Sequence, residues 1–458
     1  MVSTTRARDN QTKHGMIAVS RAITRRHATA LLIVLVALVL RLTFVLVLDP
    51  SPDFSGGDTG WYMDYGRDLV STGKTDGPMP TAPLYPTFVG IVQLLVRGNP
   101  ADGAYFISAE IQMIRIIQSI VGALFCLAVY ALAYRLFSQR TGWLAAAVLA
   151  ISPTMIIEVG TVYTEGLFLF FVYSGLALYA YTPDHMTRRW LVIVGIVFGL
   201  ATLTRAVFLL FPLGIALHLF VTQRSRWKSL VLALLVSYGA LISTWTIYNA
   251  IVWNRLVIGA DGIVGAVYQG AAGKASPQEI DQELDVSPEN DHEERSDAMK
   301  ERIADSILGD PLNWLGHRAK ELLKAYVQPH NTIYFGGESI RDAASDWARH
   351  DRTPRGLIDV TRIEAFWPKL VLYLFHFGGL ALGVGGMVTK RERWRALLPL
   401  YGLIVYFTGI HMVLLALPRY IFPLYPAFWL FGAAWLITQW NRRRASRVSN
   451  QDTLFSIL

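Results

Sequence analysis

Residues 53 to 86 read DFSGGDTGWYMDYGRDLVSTGKTDGPMPTAPLYP. The stretch is polar, acidic and rich in glycine, yet it interrupts a chain that is otherwise mostly hydrophobic. It sets Asp53, Asp58, Asp64 and Asp68 just beyond the first apolar run, with Trp61, Tyr62 and Tyr65 between them. Acids and aromatics gathered at the mouth of a hydrophobic body make a candidate active-site rim, and Asp58 is its leading residue. On either side, runs of about 20 apolar residues alternate with short basic loops. With 458 residues, 53% hydrophobic, and a mean hydropathy of +0.36, the composition is that of an all-α polytopic membrane protein and excludes a soluble enzyme.

Apolar windows lie at 28–48, 112–134, 141–157, 165–181, 191–203, 206–221, 229–250, 366–388, 396–416 and 421–440, which predicts about ten transmembrane helices. The first is too long for a signal-peptide core and has no A-x-A site, so it reads as an uncleaved anchor. A further candidate, Pro83 to Val96, is short, broken by Pro86 and flanked by polar residues, which favours a juxtamembrane or re-entrant helix. Charge decides its status. If it does not cross, segments 1–27, 135–140, 182–190, 222–228, 389–395 and 441–458 share one side and hold 21 Lys or Arg. The opposite short segments then hold only Arg67, Lys74, Arg97, Arg205 and Arg419. The positive-inside rule assigns the first set, and both termini, to the cytoplasm of a cell (inner) membrane protein. The net charge of +8 and pI near 9.4 are thus an orientation signal, and no nucleic acid is needed to explain them.

This divides the chain into a basic cytoplasmic tail (1–27), a catalytic transmembrane module (28–250) whose first outer loop is 49–111, an exoplasmic soluble domain (251–365), C-terminal transmembrane helices (366–440) and a cytoplasmic tail (441–458). The exterior is acidic: loop 49–111 has eight acids against three bases, and 251–365 has 20 against 13. In the second, Ser276-Pro277-Gln278-Glu279 and Ser287-Pro288-Glu289 read as helix starts, with serine as cap and proline in the first turn. Asp310-Pro311 opens another helix, whose Leu312, Leu315, Ala319, Leu322 and Tyr326 recur at helical spacing and predict one packed face. The single cysteine, Cys126, lies in an apolar run and reads as structural.

The orientation brings four polar features to one surface: the Asp58 loop, Glu158 with Glu165 in EVGTVYTEG, Arg205 in LTRAVF, and Arg419 with Tyr420 in LPRYIFPLYP. Each has a bland reading alone. Glu158 can be solvated, Arg205 can snorkel to headgroups, Arg419 can pair with a loop acid, and Trp61, Tyr62 and Tyr65 can be interfacial anchors. Charges at span ends are costly, however, and their convergence points to a site. Of the two arginines inside apolar windows, Arg115 sits near the outer end of its span, within reach of water. Arg41 lies deeper and is expected to pair with an acid of the first loop. His330, His350 and His411 are scattered without H-E-x-x-H spacing, and a satisfied or solvated histidine is favoured for each. No cofactor is certain, and a divalent metal is left open. The chain carries no phosphate-cradling glycine loop, Ser/His/Asp signature or nucleotide fingerprint.

The residue types suit one reaction. A sugar carried on a polyprenyl phosphate already has an anionic leaving group, which needs charge stabilisation more than a general acid. One carboxylate then serves as base for the acceptor hydroxyl, and arginines fork onto the departing phosphate.

GGDTGWY, the APLYP element at 82–86, ISPTMIIEVGTVYTEGLF, LTRAVFLLFP, WTIYNAIVWNRLVIG and PRYIFPLYP, in this order and on these sides, carry a resemblance. The chain resembles membrane-integral C-type glycosyltransferases of the dolichyl-phosphate-mannose protein mannosyltransferase and aminoarabinose transferase superfamily (glycosyltransferase family 39-like), over most of its membrane portion. The resemblance implies that Asp58 is the catalytic base and that Glu165 lines the same cavity. It also implies a lipid-phosphate sugar donor, inversion at the anomeric carbon and an exterior-facing site. Two positions depart from the family's pattern. Thr59 stands where many members have a second acid, and Tyr248 precedes Asn249 where many have arginine, so that a donor contact falls to Arg255 or elsewhere.

The sequence therefore predicts an inverting glycosyltransferase. Asp58 and Glu165 are its catalytic candidates, and Arg205, Arg419 and Arg255 its donor-phosphate candidates. Trp61, Tyr62, Asp64, Tyr65, Glu158 and Tyr420 are placed in the substrate cavity. Its expected partners are a polyprenyl-phosphate-linked sugar, a lipid, polysaccharide or protein acceptor, and membrane lipids. A transporter or flippase for a lipid-linked substrate is the rival, but the internal repeats and midplane charges of transporters are missing. A third reading is a non-catalytic assembly subunit whose 251–365 segment binds a partner.

Overall fold

A computed structural model describes residues 28–50, 58–75, 77, 79–97, 108–182, 187–272 and 292–455. Asp53, the tail 1–27 and the two serine-capped starts at 276–279 and 287–289 lie outside the described residues. Within them the chain is helical, with no strand. In chain order we number α1 (Ala28–Leu48), α2 (Thr59–Thr72), α3 (Leu84–Arg97), α4 (Ser108–Leu136), α5 (Gln139–Ile151), α6 (Pro153–Ile157), α7 (Glu165–Ala180), α8 (Arg188–Thr204), α9 (Phe211–Thr222) and α10 (Trp227–Trp253). There follow α11 (Ile263–Ala272), α12 (His292–Gly309), α13 (Pro311–Val327), α14 (Ile340–Asp346), α15 (Pro354–Val360), α16 (Phe366–Thr389), α17 (Trp394–Ile410), α18 (Pro418–Ile421) and α19 (Tyr425–Phe455).

Among the described residues five helices are long and apolar enough to cross a membrane: α1, α4, α10, α16 and Pro418–Ser446, which joins α18 to α19. The bent pair Gln139–Ile151 and Pro153–Gly160 makes a sixth if counted as one span. The chain is an integral membrane protein. The other four windows fall on Glu165–Ala180, Arg188–Thr204, Ala206–Thr222 and α17, which are shorter than the roughly 20 residues of a typical crossing. The bundle is built from long pairings of α16 with α19, α8 with α10, α4 with α5 and α7, and α7 with α8. Along α16, Gly379, Gly383 and Gly386 recur on one face, where any side chain would run into Phe428, Trp429 or Phe431 of α19. Small residues let two helix backbones approach closely where lipid supplies no hydrophobic drive.

Within segment 49–111, α2 and α3 pack together as a helical hairpin. α3 has 14 residues, buries Tyr85, Val89 and Val92, and exposes Ile91, Leu94 and Leu95. Like α7 and α9, it is shorter than the roughly 20 residues of a typical crossing. A Cβ on Gly66 or Gly90 would collide with the facing backbone, Gly66 with Pro86 O and Gly90 with Gly66 O. Gly90→Val is expected to pry α2 from α3 and destabilise the hairpin by roughly 1–3 kcal/mol, the cost of overpacking. Faster proteolysis of the 58–97 region in detergent checks it.

Two buried arginines depart from expectation. Arg41 donates to the carbonyls of Ala37 at 3.0 Å, Ala150 at 3.2 Å and Leu149 at 3.4 Å. Among the described residues it reaches no acid of the first loop. Pro153 has no N–H, so the last carbonyls of α5 lose helical partners where the chain bends by 60° at Ser152, and the Arg41 guanidinium replaces them. The acid instead meets Arg115, which is fully buried and pairs with Asp49 at 2.7 Å. Arg115 therefore does not reach water.

Segment 251–365 is lashed to the bundle by buried cations. Lys369 donates to the carbonyls of Gly336 at 2.6 Å, Glu338 at 3.0 Å and Glu364 at 2.9 Å. Arg318 of α13 donates to Gly270 at 2.8 Å, His411 at 3.0 Å, Met412 at 3.1 Å and Leu414. The packed face predicted for α13 is only half correct. Leu322 is buried, and Tyr326 hydrogen-bonds Thr408 of α17 at 2.6 Å, whereas Leu312, Leu315 and Ala319 are exposed. The seam is turned toward Arg318, because an arginine that satisfies four carbonyls outweighs a few leucines.

Candidate active site

Asp58 occupies the N-cap of α2, where aspartate ordinarily accepts a bond from the first-turn N–H groups. Its side chain makes no such bond. Oδ2 instead accepts from Arg419 at 2.7 Å, across 361 residues of sequence. Arg419 is delivered by α18, a single turn that begins at Pro418 after the extended Leu417. Its second terminal nitrogen donates to the Tyr420 hydroxyl at 2.9 Å, and its plane lies over the rings of Tyr420 (4.9 Å) and Tyr163 (5.6 Å). The Nε–H is buried without an acceptor.

A second pair lies beside the first. Arg205 caps α8 in an extended conformation, which ends the helix and swings the side chain toward Glu165 at the start of α7; the two meet at 2.6 Å. Thr164 donates to the other Glu165 oxygen at 3.2 Å. Arg205 lies over the Phe168 ring (5.7 Å) and the Tyr420 ring (5.1 Å). Both guanidinium groups thus share Tyr420, each stacked on its π-face. Arg205→Ala would leave Glu165, whose side chain is 3% exposed, as an uncompensated buried charge, and is expected to cost about 3–5 kcal/mol of stability. Adding Glu165→Gln to that variant should recover most of the loss in a thermal melt.

Tyr62 and Tyr85 form the floor of the rim. Tyr62 meets Tyr85 edge-on at 5.0 Å. The Tyr85 hydroxyl, from the APLYP element, donates to Gln118 at 2.7 Å, and Gln118 donates onward to Thr161 O at 2.7 Å and Val159 O at 3.2 Å. The motif thereby fixes the rim helix to the turn that carries Glu158 and Glu165. Burial, followed by the charge of Asp58, holds both the Tyr62 and the Tyr163 hydroxyl above the ordinary phenol range. At neutral pH they are protonated donors.

The remaining candidates lie apart from these two pairs. Glu158 is buried and accepts from His330 at 2.7 Å and Asn331 at 3.1 Å, so it joins the membrane bundle to segment 251–365. Arg255 pairs with Asp261 at 2.9 Å. Asp64 pairs with Arg67 at 3.0 Å, and Asp68 with the same arginine at 3.2 Å. Trp61 is about half exposed, and Tyr65 is half-buried against the main core. Of the histidines, His350 is exposed and pairs with Asp346 at 2.7 Å. His411 lies flat against Tyr420 at 5.5 Å. Among the described residues no group of three or more His, Cys, Asp or Glu is placed to hold a metal ion. Sequence reasoning missed the roles of His330, Asn331, Tyr163 and Phe168. Of these, Tyr163 and Phe168 stood in a motif, ISPTMIIEVGTVYTEGLF at 151–168.

A family model described as dolichyl-phosphate-mannose-protein mannosyltransferase matches residues 103–248, less than half of the chain. A comparison with curated proteins finds no match. Among solved structures, the fold is similar to the archaeal oligosaccharyltransferase AglB from Archaeoglobus fulgidus, in complex with an inhibitory peptide and a dolichol-phosphate. The TM-score is 0.53 at 14% identity, over 92% of this chain and 52% of that one. The apo form of the Archaeoglobus fulgidus oligosaccharyltransferase gives a TM-score of 0.54 at 13% identity, over 93% and 52%. The chain spans about half the length of these structures. ArnT from Cupriavidus metallidurans is matched at a TM-score of 0.35 and 15% identity, over 91% of this chain and 77% of that one, and carries no argument. Motifs, family model and fold agree: the chain resembles the membrane-integral C-type glycosyltransferases, the superfamily of dolichyl-phosphate-mannose protein mannosyltransferases and aminoarabinose transferases.

Proposed function

We propose that this protein is an inverting glycosyltransferase that moves a sugar from a polyprenyl phosphate to an acceptor hydroxyl at the outer face of the membrane. The observation that carries the reading is the Asp58–Arg419 pair. A carboxylate released from its usual capping bond is held at 2.7 Å by a guanidinium that still has a buried, unsatisfied N–H. Base and anion clamp are thereby adjacent. Asp58 takes the proton of the acceptor hydroxyl as its oxygen bonds to the anomeric carbon. The bond from that carbon to the phosphate oxygen breaks, and its electron pair leaves with the phosphate. Arg419 stabilises the charge that grows there, and Arg205 adds positive potential from across the Tyr420 ring. A single displacement of this kind inverts the anomeric centre.

Glu165 keeps Arg205 in place, so we assign it a positioning role. Arg255, engaged with Asp261, becomes a donor ligand only by exchanging partners. The four helices shorter than a typical span cross the membrane in this reading, giving ten crossings, both termini cytoplasmic, and segment 251–365 on the side of the site. The dolichol-phosphate bound in the AglB structure supports a lipid-phosphate donor here. The test is to reconstitute the purified chain in phosphatidylcholine vesicles with a radiolabelled polyprenyl-phosphate sugar and an envelope glycolipid extract. Release of free polyprenyl phosphate matched by label in an acceptor is expected, and intact donor throughout would overturn the assignment.

A further inference from the structure

The surface of α13 divides into three lengthwise stripes. One contains Arg318, Leu322 and Ala325, buried against the bundle, with Trp314 half-buried beside them. On one side of that seam lie Leu312, Leu315, Ala319 and Leu323, all exposed, with the three leucines at 83%, 48% and 63%. On the other side lie Asn313, His317, Lys320 and Lys324, also exposed. The two outer stripes follow from 3.6 residues per turn, and each stays pure along about three turns. An exposed helix in water has no reason to sort leucine from lysine on its two free flanks. A helix lying on a bilayer does: one flank enters the acyl boundary and the other meets headgroups and water.

The position of α13 in the fold says which surface covers the apolar flank. Tyr326, at its C-terminal end, hydrogen-bonds Thr408 near the last turn of α17. Arg318 grips the carbonyls of His411, Met412 and Leu414 just beyond it. The helix therefore lies across the end of α17, which is the level where α17 leaves the membrane in the ten-crossing reading proposed above. Two apolar residues near in sequence to these elements are also exposed, Val413 at 42% and Leu308 at 78%.

We propose that α13 is an interfacial membrane helix, seated in the leaflet on the side of the candidate site through Leu312, Leu315, Ala319 and Leu323. Its lysine flank lies among the headgroups. The leucines occupy the upper acyl region, and Arg318 couples this anchor to the segment that leads into Arg419. The inference rests on the proposed reading of α17 as a crossing and not on the chemistry of the site, so it stands or falls apart from the enzymatic assignment.

Cys126, the chain's one thiol, is buried and is replaced by serine to give a background for single nitroxide labels at Leu312→Cys, Leu315→Cys and, on the opposite flank, Asn313→Cys. In phosphatidylcholine nanodiscs, collision rates are measured with oxygen, which concentrates in acyl chains, and with a water-soluble nickel chelate. The expected result is several-fold more oxygen and several-fold less nickel contact at 312 and 315 than at 313. Equal nickel contact on both flanks would place the leucines in water and overturn the proposal. Shielding of 312 and 315 from both reagents would also overturn it, since protein, such as a second copy of this chain, would then be the cover. Should a label disturb folding at one position, Leu323→Cys reads the same flank.

Discussion

Asp58→Asn is expected to lower sugar transfer by roughly 10²–10⁴-fold, the range in which a positioned general base contributes, while leaving the fold intact. Asparagine matches aspartate in size, and its carbonyl oxygen can still accept from Arg419. Because the Asp58 side chain makes no capping bond to α2, no helix stability is lost with the charge. What disappears is the proton acceptor. The measurement is transfer of labelled lipid-linked sugar in membranes containing each variant at matched expression, with a melting curve as the control. Near-normal transfer by a folded Asp58→Asn protein would remove Asp58 from the mechanism.

Arg419→Ala should cost about 10²–10³-fold in turnover, comparable to deleting one preorganised donor that faces developing negative charge. It removes four interactions together: the ion pair to Asp58, the bond to the Tyr420 hydroxyl and the cation–π contacts with the Tyr420 and Tyr163 rings. Arg419→Lys separates them. An ammonium can hold Asp58 or a phosphate as a point charge, but it cannot fork to Asp58 and Tyr420 together. The lysine variant should therefore fall between wild type and alanine, with most of its defect in turnover if the guanidinium acts on the transition state. Combining Arg419→Ala with Asp58→Asn should cost much less than the product of the single effects, because both act at one displacement. Full additivity would mean that the contact between them is incidental to chemistry.

Much of the candidate site was legible. Asp58, Glu165, Arg205, Arg419 and Tyr420 each stood in a short motif at a predicted span end, and these residues form the two linked pairs. Glu158 was placed in the substrate cavity from sequence, and its partnership with His330 was not legible, because QPHNT carries no periodicity or cap that ties it to a distant carboxylate. Arg255 was chosen to fill the place of an absent arginine. A replacement named from chain proximity ignores the closer acid, Asp261, which holds it. For Arg41 and Arg115, hydropathy located both charges inside apolar runs and gave their depth, but not their partners. Proline-broken α5 offered Arg41 two carbonyls nearer than any acid among the described residues, and Asp49 pairs with Arg115.

The sequence by itself determined that this is a helical membrane protein, where its apolar runs begin and end, and which polar residues stand at their ends. Those properties are sums over neighbours in the chain: about 20 apolar side chains in a row are costly to leave in water whatever surrounds them. Only the tertiary structure decided which charge meets which and which flank of α13 is left uncovered. Pairing in a low-dielectric interior rises steeply as two groups approach, and their approach is set by helix crossings, a bend at Pro153 and two glycines between α2 and α3, none of which is written in the local sequence of either partner.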